Sequence, residues 1–315
     1  MTTPGTDFQG RAPKIPPRIL CIGIPVRDLA FLTPTVPGRG SKEIASHFEE
    51  FCGGNSLNAA IGIARLGGRA SLCGPMGDAQ ETASRYMFDQ LAQEGIDTRH
   101  LVHMKGLATP LSAIMIDPTG ERTAITFRDP DLWKVKLPPA DVLLEDCAAV
   151  LTESRCAAFC TGLCAEAVRR GIPVIVDVDR AMSLGESLLT ASTHLVFSNE
   201  PLLETAGASD EGEALKKIAR LTPSFLAGTR GHRGTIWLDA EGELKETPAF
   251  PVPTVDTLGA GDVFHGAFAL AITEGQDLNE ALRFASAAAA LKCTRFGGAF
   301  AAPQRFEVEE LLRRG

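Results

Sequence analysis

The chain has no apolar run approaching about 20 residues, the length a membrane-spanning helix requires, so nothing in it reads as a bilayer span. A basic stripe or tail is also missing. With a net charge of −8 over 315 residues, the sequence argues against a nucleic-acid backbone as partner. Positions 1–17 contain Pro4, Pro13, Pro16 and Pro17 but no apolar core, so they read as a loose tail and not as a secretory signal. No Gly-x-Gly-x-x-Gly follows the first strand-like segment, which speaks against a dinucleotide-dependent oxidoreductase. Internal repeats and low-complexity tracts are absent as well.

Eight cysteines are scattered through this large chain without a secretory signal, a usage that favours reduced thiols and a cytoplasmic location. Cys156, Cys160 and Cys164 share one helical face, but the outer two would stand about 12 Å apart along a helix, too far for one tetrahedral ion. They are expected to form a buried stripe.

What is present is alternation. Strand-like segments at Arg18–Ile24, Ala70–Cys73, Ala149–Glu153, Val174–Val178, His194–Ser198 and Ser224–Ala227 are separated by helical ones. Those helical segments include Asn55–Leu66, Glu81–Glu94, Ala157–Arg170, Glu213–Leu221, Ala260–Glu274 and Leu278–Lys292. Val- and Ile-rich strands with helices between them predict a mostly parallel sheet covered on both faces. Asp277, three residues before Glu280, predicts a helix start there. Two stretches break the alternation, Leu29–Glu50 and Leu101–Phe127, and the second reads as a hairpin turning at Pro118-Thr119-Gly120.

The most informative segment is Asp256-Thr257-Leu258-Gly259-Ala260-Gly261-Asp262, which runs into the apolar helix Val263–Leu270. Gly259, Ala260 and Gly261 leave backbone N–H groups bare where a helix begins, a setting that holds anions. Asp262 could accept a proton from a hydroxyl beside that anion, or could simply cap the helix. Upstream, Gly53-Gly54 allows a ligand to approach the main chain, and Asn58 is a neutral donor and acceptor suited to hydroxyls.

Gly-Gly-x-x-x-Asn, an Ala-rich helix and Leu66-Gly67, followed about two hundred residues later by Asp-Thr-x-Gly-Ala-Gly-Asp, resembles the ribokinase (PfkB) family of sugar and nucleoside kinases. The resemblance implies a ribokinase-like α/β three-layer sandwich over residues 18–315, with a mostly parallel central sheet. It also implies a small β-sheet lid from about 29–50 and 101–127. By the same resemblance ATP and Mg²⁺ are cofactors, Asp262 is the base, and Gly259, Ala260 and Gly261 form the anion hole. Asp28, Gly53, Gly54 and Asn58 would hold the sugar. Thr229-Arg230-Gly231-His232-Arg233-Gly234 resembles the nucleotide loop, placing Thr229, Gly231 and Gly234 at the nucleotide with Asn199. Asp256 and the loop from Arg295 to Gly298 would border a K⁺ or similar monovalent-cation site, and relatives often pair as homodimers through their lids.

Two departures stand out. Asn199-Glu200-Pro201-Leu202 has Leu202 where the family often has a glutamate, leaving Glu200 or Glu204 to substitute, and Ser286 stands where many members have an asparagine near the adenine. Segments Ser112–Asp117, Gly261–Ala267 and Ala290–Arg295 resemble the bacterial 6-deoxy-6-sulfofructose kinases more closely than a generic member. Matching segments to that branch puts Lys42, Thr126 and Arg155 at the sulfonate-binding positions, with Thr126 replacing an asparagine. A Lys–Arg pair would read a phosphate equally well. The function implied is γ-phosphoryl transfer from ATP to a sugar hydroxymethyl, with a sulfofructose-like ketose ahead of a neutral ribose or fructose. A binding homologue without turnover is the alternative.

Overall fold

The computed structural model describes residues 15–118 and 122–314. Thirteen strands occur among them: β1 Arg18–Ile22, β2 Val26–Leu32, β3 His47–Gly53, β4 Arg69–Met76, β5 Asp97–His103, β6 Leu111–Ile116, β7 Arg122–Phe127, β8 Cys147–Glu153, β9 Val174–Val178, β10 His194–Ser198, β11 Phe225–Thr229, β12 Thr235–Leu238 and β13 Leu244–Thr247. The helices are α1 Asn55–Arg65, α2 Thr82–Gln93, α3 Ala140–Leu143, α4 Ala157–Arg169, α5 Asn199–Ala206, α6 Glu211–Ile218, α7 Ala260–Thr273, α8 Leu278–Cys293 and α9 Arg305–Arg314.

Nine strands form one sheet in the order β13-β12-β11-β10-β9-β8-β1-β4-β5. From β11 to β5 all neighbours are parallel, while β12 and β13 fold back antiparallel at one edge. Side chains on a strand alternate between faces, so β1 serves two cores at once. Ile19 and Cys21 enter the core shared with α1, α7 and α8, whereas Leu20 and Ile22 enter the core shared with α4, α5 and α6. This is the ribokinase-like three-layer α/β sandwich. Cys156, Cys160 and Cys164 are fully buried in the second core, as a stripe of small apolar residues should be.

The remaining strands make a separate small sheet in the order β3-β2-β6-β7. Its inner face carries Ala30, Phe51, Ile114 and Ile116, which pack against Leu258, Phe296 and Phe300. The small sheet thus leans on the glycine loop before α7. Its outer face shows Phe48, Ile125 and Phe127, all half-exposed or more.

The inserted stretch begins later than the Leu101–Phe127 expectation. Leu101 to His103 belong to β5, which pairs in parallel with β4 at the edge of the large sheet. Asp97-Thr98-Arg99-His100 lacks the apolar run of a buried parallel strand, because an edge position leaves much of it in solvent. Thr119 and Gly120 of the expected turn lie outside the described residues, as do residues 1–14 of the tail. Flanking them, β6 and β7 pair antiparallel with Ile116 opposite Arg122. Asp277 caps α8, its side chain accepting from the Glu280 amide at 2.9 Å.

Candidate active site

The carboxyl ends of β10, β9, β8 and β1 lie side by side, where a parallel sheet offers its loops to ligands. Above them α7 begins at Ala260 with Gly259 in the left-handed region at φ 77°, and no side chain caps the helix. Asp262 is therefore in the first turn and not at the cap position. Its carboxylate accepts from Asn58 Nδ2 at 2.7 Å, joining two segments 204 residues apart in the chain. The carboxyl keeps some exposure yet is so crowded by protein that burial, and then the neighbouring Asp177 charge, push its pKa up to about 7.

Gly53 and Asp28 explain each other. They lie on neighbouring strands, and a Cβ at residue 53 would overlap the Asp28 carboxylate. Gly54 has φ 100° and opens α1. Asp28, just past the first strand, sits within β2, where the register aligns it with Ser112 on β6 and Thr126 on β7. Ser112 and Thr126 share a hydroxyl–hydroxyl bond of 2.9 Å. Asp28, Ser112 and Thr126 thus form a polar row across the inner face. Burial raises the Asp28 pKa to about 6, against a hydrogen bond from Ser112 and the nearby Arg128 charge.

The expected nucleotide residues come together. Thr229, Gly231, Gly234 and Ser286 line a cleft of about 800 Å³ that also reaches Ala260 and Gly261. Gly234 has φ 81° and lies against the Thr247 carbonyl, so a side chain is excluded there. Next to it, a cleft of about 450 Å³ is bordered by Asp179, Asn199, Glu200 and Gly231. Asn199 Oδ1 is buried with no hydrogen-bond partner among the described residues. An orphaned oxygen beside a carboxylate fits a hydrated Mg²⁺, which keeps several waters and takes few protein ligands. Leu202, in the place of the expected glutamate, is fully buried in the second core; Glu200 borders this cleft.

The anion-clamp expectation fares unevenly. Arg155 lies just after β8 and its Nε donates to Asp179 Oδ2 at 2.6 Å, so an internal carboxylate already engages it. Lys42 is exposed on the segment between β2 and β3, and Thr126 is exposed on β7. Asp256, expected beside a monovalent cation, instead has both its carbonyl and its carboxylate bonded by Lys292 Nζ.

An acidic group went unread in the sequence. Asn55 Nδ2 donates to both Asp177 and Asp179 at 3.0 Å, and Asp177 stands 3.5 Å from His265 Nε2. Burial, with nearby acids, lifts Glu153 to about 8; burial and Asp179 lift Asp177 to about 8. The signal was there: Val174-Ile175-Val176-Asp177-Val178-Asp179 is a buried strand with two carboxylates at its carboxyl end, where parallel sheets bind ligands. Arg128 was also missed, although its charge acts on both Asp28 and Glu153.

A carboxylate of raised pKa in the first turn of an uncapped helix, with a roomy cleft reaching the same glycine loop, is suited to passing a phosphoryl group to an alcohol. Relatives agree. Ribokinase of Bacillus subtilis is 28% identical over 93% of this chain and 99% of its own. Fructokinase-1 of Oryza sativa subsp. japonica is 30% identical over 89% and 93%. The crystal structure of a candidate ribokinase from Agrobacterium tumefaciens superimposes with a TM-score of 0.90 at 34% identity, covering 95% of this chain and 98% of that one. The sequence model described as pfkB family carbohydrate kinase matches residues 16–305. The chain belongs to the pfkB family of carbohydrate kinases, phosphotransferases with a hydroxyl acceptor.

Proposed function

We propose that the protein transfers the γ-phosphoryl group of ATP to the hydroxymethyl of a ketose, with Asp262 as the base. The observation that carries this is the Asn58–Asp262 bond of 2.7 Å at the uncapped start of α7. Asp262 takes the hydroxyl proton, and the amides of Gly259 and Gly261 face the transferring group, the expected Ala260 amide being bonded instead to the Thr257 carbonyl at 3.2 Å. Asp28 and Asn58 read the sugar hydroxyls, with Gly53 and Gly54 keeping the main chain clear. The larger cleft suits the nucleoside, with Ser286 beside it. Asn199 and Asp179 would hold Mg²⁺, which neutralises phosphate charge when bound.

The acceptor we propose is a sulfofructose-like ketose, its anionic end read by Arg155, with Lys42 and Thr126 at the rim. Support comes from the segments that resemble that branch and from two arginines, Arg128 and Arg155, bordering the acids of the cleft. A neutral sugar such as ribose or fructose is the second reading, favoured by the Arg155–Asp179 pair, which already engages the guanidinium. The deciding experiment offers ribose, fructose, fructose 6-phosphate and 6-deoxy-6-sulfofructose with ATP and reads ADP release. Arg155→Ala should weaken the sulfonated sugar by about 1–3 kcal/mol and leave fructose nearly unchanged. Equal losses on both would discard the sulfonate reading. No ADP release with any sugar would favour a binding homologue. The outer apolar face of the small sheet suits a second copy, and the eight free cysteines suit a reducing, cytoplasmic setting.

A further inference from the structure

Lys292 is a fully buried lysine that the chemistry proposed above leaves unused. It lies in the last turn of α8, and its Nζ donates to the Asp256 carbonyl at 2.9 Å and to Asp256 Oδ2 at 2.7 Å. The same carboxylate accepts from the Leu258 amide at 2.8 Å and the Gly298 amide at 3.2 Å. The Cys293 carbonyl accepts from the Val255 and Asp256 amides at 2.7 and 3.1 Å. One ion pair therefore ties together the start of the Asp256–Asp262 loop, the end of α8 and the turn at Gly298. Three residues beyond Asp256 the chain reaches Gly259, which opens α7.

A monovalent metal ion does not fit here. Hard cations take oxygen ligands, above all carbonyls and carboxylates. The carbonyl and a carboxylate oxygen of Asp256 are held by an ammonium, and a second cation at the same oxygens would meet it at close range in a dry site. An ammonium carries the same charge, offers three donors and is delivered by the helix, so no solution ion has to be recruited.

We propose that the Lys292 ammonium is a built-in cation standing where a bound monovalent metal was expected, and that it holds the Asp256–Asp262 loop in its phosphoryl-receiving form. The enzyme then works without K⁺. This rests on reading that loop as the phosphoryl site. Lys292 is a positioning residue, acting on substrate only through the backbone it tethers.

The test compares wild type in potassium, sodium and tetramethylammonium chloride at equal ionic strength. It reads ADP formation, Mg-ATP affinity by calorimetry and the melting temperature. Wild type should be indifferent to the cation in all three. Lys292→Met, which keeps the chain length and removes the charge, should lose about tenfold or more in ATP affinity or kcat. Lys292→Ala should be partly rescued by K⁺, ammonium or methylammonium, with a saturating rise in melting temperature that tetramethylammonium cannot reproduce. A wild type activated severalfold by K⁺ overturns the proposal, as does a folded Lys292→Met with normal ATP affinity and kcat. If neither variant folds, the wild-type ion series decides. If no sugar is turned over, the affinity and melting series still judge Lys292, and only the kinase reading fails.

Discussion

At the scale of single residues, Asp262 is the carboxylate whose surroundings matter most. A pKa raised to about 7 leaves much of it protonated just below neutrality. Only the ionised form accepts a proton, so kcat/KM should climb as pH rises through about 7 and level off above it. Asp262→Asn keeps the shape and the Asn58 contact but cannot accept the proton. Its turnover should fall by about 10²–10⁴-fold with little change in melting temperature, and the residual rate should no longer climb near pH 7. Steady-state rates from pH 5.5 to 8.5 (a span of about three units around that value) check both points, and near-normal turnover would remove Asp262 from the reaction.

At the scale of elements, the contact between α1 and α7 is what brings Asn58 to Asp262. The helices approach closely because Gly266 has no side chain: a Cβ there would stand 2.5 Å from the Ala59 carbonyl oxygen. Gly266→Ala should force the helices apart, costing about 1–3 kcal/mol of stability, typical of overpacking. Since Asn58 lies one residue from Ala59, turnover should fall as well, although residue 266 touches no substrate. Chemical denaturation and kcat on the same preparation measure the two effects. Loss of stability with unchanged kcat would mean that the helix contact does not tune the site.

At the scale of the whole molecule, the small sheet joins the site on its inner face and presents Phe48, Ile125 and Phe127 outward. Exposed aromatic and branched side chains gathered on one face mark an association surface. We expect a homodimer in solution formed through this face, and Ile125→Glu with Phe127→Ser should yield monomers by light scattering. Unaltered mass in the double variant would place any interface elsewhere. Since Asp28, Ser112 and Thr126 share the sheet, the monomer should bind sugar less well while ATP affinity stays near normal.

The sequence alone determined the alternating sandwich, the helix start at Asp277 and the two glycine segments, because periodicity and backbone-permissive residues are local properties. The residues it suggested for a nucleotide, Thr229, Gly231, Gly234 and Ser286, line one cleft. Tertiary structure decided the rest. Asp28 could be placed in β2 only through its pairing with Phe51 and Ser112, and β5, whose last three residues read as the start of the inserted stretch, showed itself only when β4 supplied its partner. Asp177 and Asp179 share one strand end, but Glu153 and Arg128 come from other segments, and only packing sets the four charges together. Lys292 would have read as a helix-end surface lysine; that it is buried against Asp256 follows from the way α8 and the glycine loop meet. Charges act through space, and distances between remote segments are fixed by the packed core.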